Sequence, residues 1–324
     1  MRTIALEEHF WTAELAAAPG TGPLARPGGQ QLDAALRDLD KARIADMDAT
    51  GIDLQVVSHS NPAAQGMPEA AGVAAARRAN DELAAAVARH PERLAGFATL
   101  PTGSPAAAAD ELSRAVGELG FVGAMVNSTF GTDGAFLDDP RFAPLLTRFE
   151  TLDVPLYLHP APPPASLRDV LYGGLSAPVA GVLATTAWGW HSEAGLHALR
   201  LVAAGVFERH PRLRVIIGHC GEMVPIMLQR IDDVLPPSLT GLAEPPSAYF
   251  LRHVWVTTSA MFSLPPVLCT ISVFGIDRVL FSVDYPYGAN ASGREMLDAL
   301  PLPPADKAKV AGLNAERLLR LGGG

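Results

Sequence analysis

The chain has 324 residues and is acidic, with 34 Asp and Glu against 25 Lys and Arg and a formal net charge of -9. That length suits either two ordinary domains or one large α/β barrel. An acidic surface argues against nucleic acid or an anionic membrane as the main partner. The two cysteines, Cys220 and Cys269, cannot form a disulfide framework and indicate free thiols in a reducing compartment.

Short β-branched runs alternate with longer alanine- and leucine-rich stretches along the chain. The short runs predict eight strands, at 2–6, 53–58, 94–99, 121–126, 154–158, 213–217, 254–257 and 278–283. Helices are predicted between them, at 31–50, at 69–89, from Pro105 to the residue before Gly120, and after Pro303-Pro304. This alternation predicts a single α/β domain over residues 1–324, a (β/α)8 TIM-type barrel. A doubly wound open sheet with a second domain is the alternative, because periodicity alone does not count strands reliably.

Two irregular, proline-rich segments, near 160–187 and 236–246, are predicted to be long loop insertions in the barrel. Loops of that length commonly serve as functional lids or oligomer contacts, and 18–29 is a third candidate. The apolar runs are too short to span a membrane, and the start MRTIALEEHF carries acids where a signal peptide needs apolar residues. A soluble, cytoplasmic protein is therefore expected.

Ligand-type side chains follow four of the predicted strands, where a barrel brings its strand ends together at one mouth. They are Glu7 and His9 after the first strand, His159 after the fifth, His219 (followed by Glu222) after the sixth, and Asp284 after the eighth. Strand alternation would place Glu7 and His9 on one face with Ala5, and Ile4, Leu6 and Glu8 on the other. Carboxylates and imidazoles suit a divalent Zn or Mn ion. A single histidine after a strand is equally well a structural residue, but the set together predicts a metal site.

At these residues the sequence resembles the amidohydrolase superfamily, in its amidohydrolase-2 branch. Within that branch it is similar to the metal-dependent aromatic acid decarboxylases typified by γ-resorcylate decarboxylase. The likeness covers nearly the whole chain and is carried by ALEEHF, RRANDELAAAVARHPERLAGFATLP, GFVGAMVN, VPLYLHP, LRLVAAGVFERHPRLRVIIGHCGEMVP and VLFSVDYPY. The resemblance implies Glu7, His9, His159 and Asp284 as metal ligands. It also implies His219, with Glu222, as a polar dyad beside the metal.

The positions of the lysines indicate how many metal ions the site holds. Binuclear members of the superfamily bridge two metals with a carboxylated lysine at the end of the fourth strand. The three lysines of this chain, Lys41, Lys307 and Lys309, all fall in predicted helices, and Asn127 stands near that strand end. One divalent ion, Zn or Mn, is therefore expected. No organic cofactor is expected, because no GxGxxG follows a strand and no Walker A motif is present.

The resemblance implies non-oxidative decarboxylation of a hydroxylated aromatic carboxylic acid. Most amidohydrolases carry HxH on the first strand, and ExH here points to the decarboxylases. In this reaction Asp284 would deliver a proton to the ring, His219 would orient or polarise the substrate, and Glu222 would fix the imidazole tautomer. The alternative keeps the fold and metal but hydrolyses a lactone or amide, with His219 or Asp284 as general base. A non-catalytic binding barrel is a third possibility.

Four further side chains are candidate substrate contacts: His59, Asn127, His191 and Arg230. Arg230 would meet an anionic substrate, or pair with a neighbouring aspartate on a helix surface. His191 lies in WGWHSE, whose tryptophans would wall a ring-shaped pocket or form a subunit contact. The expected partner is a small aromatic acid, with no nucleic acid and no membrane. A homo-oligomer, dimer or tetramer, is expected from the resemblance.

Overall fold

The computed structural model describes residues 1–16, 29–65, 67–128 and 134–322. Within these ranges, eight parallel strands follow one another around a single sheet in chain order. They are β1 (Ile4–Phe10), β2 (Leu54–His59), β3 (Leu94–Thr99), β4 (Gly123–Asn127), β5 (Leu156–His159), β6 (Val215–Ile217), β7 (Val254–Thr257) and β8 (Val279–Leu280). A parallel bridge between Leu6 and Ser282 joins the last strand to the first. The predicted (β/α)8 barrel is confirmed.

Helices connect the strands and cover the outside of the barrel. They are α1 (Ala13–Ala16), α2 (Gly29–Arg37), α3 (Lys41–Thr50), α4 (Glu69–Arg89), α5 (Pro105–Gly117), α6 (Ala143–Leu152), α7 (Ala165–Tyr172), α8 (Ala177–Leu183), α9 (Gly189–Ala203), α10 (Val206–Arg209), α11 (Val224–Val234), α12 (Pro237–Thr240), α13 (Pro246–His253), α14 (Leu264–Phe274), α15 (Asn290–Ala299), α16 (Pro304–Ala308) and α17 (Asn314–Leu319). None of these described helices is both long enough and apolar enough to cross a membrane.

The connections depart from the sequence expectation at two places. The single helix expected at 31–50 is wrong, since α2 and α3 are separate helices. The Asp38 carboxylate accepts the backbone N–H groups of Asp40 at 2.8 Å and Arg43 at 2.9 Å, which begins a new helix there. The segment near 160–187 folds into α7 and α8, and the segment at 236–246 contains α12. The candidate insertion at 18–29 lies outside the described residues apart from its last position.

Alternate strand residues fill two apolar layers. Val56, Phe97 and Ile216 pack inside the barrel, where Leu318 of α17 joins them. Their strand neighbours, among them Val57, pack outward against the helices. Both faces of the strands are therefore buried, as parallel sheets require. Full burial of each large apolar side chain stabilises the fold by about 1.5–3 kcal/mol.

Strand β1 contains a β-bulge that changes which side chains face inward. Ala5 lies opposite Gln55 and Glu8 lies opposite Val57, so β1 advances three residues while β2 advances two. The extra residue is accommodated where Glu7 adopts a left-handed backbone, with φ 62°. Such a bulge re-aims the side chains that follow it.

The alternation expected for β1 is wrong because of this bulge. Ile4 and Leu6 pack in the barrel interior, whereas Ala5 packs in the outer layer. Glu7 nevertheless faces the interior of the barrel mouth, because the extra residue reverses the alternation between Leu6 and Glu7. The His9 ring then lies 5.1 Å from the His159 ring at the end of β5.

Candidate active site

Glu7 is fully buried, and hydrogen bonds fix one of its two carboxylate oxygens. Its Oε2 accepts hydrogen bonds from the hydroxyls of Tyr157 and Ser259, and from Thr257 at 3.3 Å. Within the described part of the chain, Oε1 has no hydrogen-bond partner. Burial raises the pKa of Glu7, although the neighbouring His219 opposes this rise. The three hydroxyls therefore orient the carboxylate and leave one oxygen open to another ligand.

His9, His159 and Asp284 present open polar atoms beside that oxygen. Ligand atoms of Glu7, His9 and His159 all lie within 4.8 Å of one another. His9 Nε2 lies 3.1 Å from Asp284 Oδ1, and both atoms are buried without a hydrogen-bond partner among the described residues. His159 Nε2 lies 3.5 Å from Glu7 Oε1, and the other ring nitrogen, Nδ1, is likewise buried without a partner there. Buried polar atoms are costly when they have no partner. Two carboxylates and two imidazoles arranged in this way fit a divalent ion such as Zn or Mn.

The protonation states of these side chains suit metal binding. Burial and the neighbouring His9 lower the pKa of His159 to about 3, so its ring is neutral, the form that binds metals. Burial opposes ionisation of Asp284, but the neighbouring His219 and His9 side chains outweigh it and lower the pKa of this carboxyl. Near neutral pH both groups are therefore already in the form that ligates a metal.

A second polar cluster, which we call the dyad cluster, consists of His219, Glu222 and His191. His219 begins a 3₁₀ turn directly after β6, and its Nδ1 lies 2.7 Å from Glu222 Oε1. Glu222 Oε2 lies 2.7 Å from His191 Nδ1, and His191 Nε2 lies 3.1 Å from the carbonyl oxygen of Thr186. These side chains have metal-ligand character. However, hydrogen bonds join both Glu222 oxygens to the two rings, so the cluster is satisfied internally.

His219 connects the dyad cluster to the open ligand atoms. Burial disfavours its charged form, but the carboxylates of Glu222 and Glu7 outweigh this and raise the pKa of His219 well above its usual value. The ring therefore carries a proton on each nitrogen near neutral pH. Its Nε2 lies 3.8 Å from Asp284 Oδ2. The site thus holds a proton donor beside an ionised carboxylate.

Asn127 lies at the mouth, whereas Arg230 lies on the outer surface. Asn127 ends β4 opposite His159, and its Nδ2 donates to Gln65 Oε1 at 3.2 Å. Its Oδ1 is buried and has no hydrogen-bond partner in the part of the chain described. Arg230 is exposed on α11.

His59 differs from the sequence expectation of a substrate contact. Its Nε2 accepts the Thr12 N–H at 3.1 Å, and its Nδ1 lies 2.8 Å from the Ser60 carbonyl oxygen. Burial lowers the pKa of His59 to about 4. With both nitrogens engaged by the backbone, this neutral ring braces the loops after β1 and β2 and offers no nitrogen to a substrate.

Sequence reasoning missed the hydroxyls that hold Glu7. Tyr157 lies in the middle of the apolar run VPLYL, and Thr257 and Ser259 belong to the hydroxyl-rich run TTS at the end of β7. A buried hydroxyl needs a hydrogen-bond partner. Hydroxyl side chains within otherwise apolar strands were therefore the available sign that a polar partner lies inside the barrel. Which partner it meets depends on strand register, which one sequence does not give.

Known proteins match this chain over almost its full length. The family model described as "Amidohydrolase" matches residues 7–321. Gamma-resorcylate decarboxylase of Rhodococcus jostii is 38% identical over 339 residues, which cover 98% of each chain. The structure of a 2,6-dihydroxybenzoate decarboxylase complexed with 2,6-dihydroxybenzoate is 36% identical with a TM-score of 0.91, covering 99% of this chain and 100% of that one.

A second structure, the dihydroxybenzoic acid decarboxylase of Polaromonas sp. JS666, contains bound manganese and the inhibitor 2-nitroresorcinol. It is 34% identical with a TM-score of 0.91, covering 99% of this chain and 97% of that one. Together these matches confirm the resemblance inferred from the motifs at the strand ends. The chain belongs to the amidohydrolase family.

Proposed function

We propose that the chain is a metal-dependent, non-oxidative decarboxylase of a hydroxylated aromatic carboxylic acid. The observation that carries this proposal is the convergence of open ligand atoms from Glu7, His9, His159 and Asp284 beside His219. Similar proteins with dihydroxybenzoate, or with manganese and a nitroresorcinol, support the same chemistry. The partner is a small aromatic acid.

The four ligand side chains would hold one divalent ion. When bound, this ion would supply positive charge that attracts the carboxylate and the adjacent hydroxyl oxygen of the substrate and favours ionisation of that hydroxyl, whose oxygen then donates electrons to the ring. Two oxygens and two nitrogens suit either Mn or Zn, and the manganese in a similar structure favours Mn. An organic cofactor has no role in this scheme.

The pair formed by His219 and Asp284 supplies the proton that the reaction consumes. His219 carries a proton on Nε2, 3.8 Å from the ionised Asp284 Oδ2. His219 passes this proton to Asp284, and the Asp284 carboxyl delivers it to the ring carbon that bears the substrate carboxylate. The carbon–carbon bond then breaks, its electron pair restores the aromatic ring, and CO2 leaves.

Glu222 and His191 keep His219 in position for this transfer. Burial opposes ionisation of Glu222, but His219 and His191 outweigh it and lower the pKa of this carboxyl. Each His191 nitrogen lies within hydrogen-bond distance of an oxygen, Nδ1 of Glu222 Oε2 and Nε2 of the Thr186 carbonyl. His191 is therefore a positioning residue that acts through Glu222, which revises the substrate contact expected from the sequence.

Substrate recognition would use the open atoms at the mouth. The unpartnered Asn127 Oδ1 suits a hydroxyl group of the substrate, since it is an acceptor. The Trp190 ring lies 6.4 Å from the His159 ring, so it can face an aromatic ring bound at the mouth. Arg230, which is exposed on α11, stays a proposed contact for the substrate carboxylate.

The test is incubation of the Mn²⁺-loaded protein with 2,6-dihydroxybenzoate in D2O. We expect CO2 release and a resorcinol with one deuterium at the carbon that lost the carboxylate. Benzoate is the matched control, because it lacks the adjacent hydroxyl groups, and it should not react. Protein stripped of metal should lose the activity and regain it with Mn²⁺. Hydrolysis of lactones or amides without CO2 release would instead support the hydrolase alternative.

We also propose a homo-oligomer that forms through the insertion containing α7 and α8. A groove of about 700 Å³ runs between these helices. Large apolar side chains are exposed on this insertion: Leu167, Val170, Leu171, Leu175, Val179 and Val182. Exposed apolar clusters commonly mark protein contacts. Light scattering should show a dimer or tetramer, and a Val170→Glu, Leu171→Glu variant should be smaller. A wild-type monomer would refute the proposal.

We propose a cytoplasmic location, which the cysteines support. Cys220 and Cys269 are both free, as expected for thiols in a reducing compartment. Fractionation of cells that express the native protein would test this location.

A further inference from the structure

The junction between β8 and β1 has little regular strand pairing at the site mouth. β8 consists only of Val279 and Leu280, and the bridge between Leu6 and Ser282 is its link to β1. Asp284 follows two residues later in a left-handed backbone conformation, with φ 67°. Regular strand pairing therefore ends before Asp284, and isolated backbone hydrogen bonds together with side-chain contacts position its carboxylate.

Glu8 supplies these contacts from the opposite side of β1 to Glu7. Its Oε1 accepts the Val283 N–H at 3.0 Å, and its Oε2 accepts the Tyr285 N–H at 2.8 Å. The two bonds bracket Asp284 in the chain, and the Glu8 side chain is fully buried. Both distances are ordinary for hydrogen bonds from an N–H group to an oxygen. Glu8 thus holds the backbone on both sides of the left-handed Asp284, and we call its bonds to Val283 and Tyr285 the clamp.

Further bonds join the clamp to the strand that carries His9. The His9 N–H donates to the Tyr285 carbonyl at 2.6 Å, and Arg43 Nη2 donates to the His9 carbonyl at 2.5 Å. The Arg43 guanidinium carbon also lies 4.8 Å from the centre of the Tyr285 ring. The backbones of His9 and Asp284 are consequently held in one buried network.

We propose that Glu8 is a positioning residue that sets Asp284 at its distance from His9 by holding the backbone on both sides of Asp284. This rests on the proposed function only in placing Asp284 among the metal ligands. Glu8 itself touches no substrate and binds no metal in this scheme. Since its two hydrogen-bond partners are the backbone N–H groups on either side of Asp284, a change at Glu8 alters the placement of Asp284.

The test is the affinity of Glu8→Gln for Mn²⁺ alone, followed by the electron paramagnetic resonance spectrum of the ion. The amide retains one acceptor but turns an NH2 group toward the second N–H, so one bond is lost. We expect binding weaker by about 10–100-fold, the usual effect of removing a group that supports a ligand. The Mn²⁺ spectrum should also change, because it reports the geometry of the ligands. No substrate is involved, so the result is separate from any failure to release CO2.

Glu111→Gln is the matched control. Glu111 is a buried carboxylate in α5 that accepts hydrogen bonds from Asn80 and Arg114 at 2.7 Å, in the outer helical layer. Its loss should lower thermal stability and leave the Mn²⁺ affinity and spectrum unchanged. If Glu8→Gln behaves in the same way as this control, Glu8 is merely structural and the proposal is wrong.

A measurement on the wild-type protein decides the matter if Glu8→Gln does not fold. The Val283 and Tyr285 amides should exchange slowly with D2O, although both lie beyond the end of β8. Slow exchange at both amides supports the clamp. Fast exchange at either one would show that the bond to Glu8 is not maintained in solution, which overturns the proposal.

Discussion

Gly218 offers a direct test of the position of Glu7, because a methyl group added there would meet its carboxylate. Gly218 immediately precedes His219 and has an extended backbone, with φ -80° and ψ -172°, which alanine adopts freely. A Cβ at this position would lie 2.8 Å from Glu7 Oε2 and 3.0 Å from Oε1. Gly218→Ala therefore perturbs the site by contact alone, without backbone strain.

The size of the effect of Gly218→Ala depends on the hydrogen bonds that hold the Glu7 carboxylate in place. Ordinary contact begins near 3.4 Å, so the carboxylate must retreat by about 0.5 Å to relieve the repulsion. The hydroxyls of Tyr157 and Ser259 oppose that movement. Overpacking of this kind usually costs about 1–3 kcal/mol of stability. A displaced ligand should weaken metal binding by about 10–100-fold, which is about 1.4–2.7 kcal/mol of binding free energy.

The assay is a Mn²⁺ titration, with CO2 release measured at saturating metal. Gly117→Ala is the control, since Gly117 ends α5 and a Cβ there would meet nothing within 4 Å. That control should gain about 0.4–1 kcal/mol of stability and bind Mn²⁺ like the wild type. If Gly218→Ala also binds Mn²⁺ as tightly as the wild type, Glu7 is not a metal ligand in the position described.

Three further outcomes are expected. Asp284→Asn should fold but lose about 10²–10⁴-fold in turnover, as the loss of a proton-transferring group predicts, and an active variant in the CO2 assay would remove Asp284 from the proton step. Tyr157→Phe removes one donor to Glu7 and should weaken Mn²⁺ binding by about tenfold, and an unchanged titration would contradict this role. Burial lowers the pKa of His197 to about 3, so stability is lost as pH falls from about 6.5 toward that value. Between pH 7 and 5 the loss from this histidine should be about 2 kcal/mol in urea unfolding, and His197→Gln with the same pH slope would contradict it.

The barrel was predictable because its strands carry a local signal. The runs predicted at 94–99 and 254–257 coincide with β3 and β7, since β-branched and apolar residues bounded by turns favour buried strands. The last strand was predicted at 278–283 but ends at Leu280. The chain turns away there to place Asp284, and Glu8 takes over part of the hydrogen bonding that a longer strand would provide.

The side-chain geometry was not predictable from the sequence, because it depends on backbone conformations that non-glycine residues rarely adopt. Glu7, His219, Glu222 and Asp284 all have positive φ, between 46° and 67°. Each such residue costs on the order of 1–3 kcal/mol and persists only where its surroundings enforce it. Nothing in the local sequence indicates these conformations. The contacts that enforce them, such as Tyr157 to Glu7, join residues that are far apart in the chain.

The scarcity of lysine affects how the buried carboxylates at the barrel mouth are compensated by positive charge. Burial of the Glu7, Asp284 and Glu222 carboxylates is unfavourable unless positive charge lies close to them. The lysines lie elsewhere, on α3 and near α16, so histidines provide the nearby compensation, and His219 in particular carries a proton because of these acids. Histidine can give up that proton to a substrate, whereas an ammonium group would hold it more firmly. With the fourth-strand position occupied by Asn127, the arrangement suits one metal ion and one transferable proton, which are the two requirements of the proposed decarboxylation.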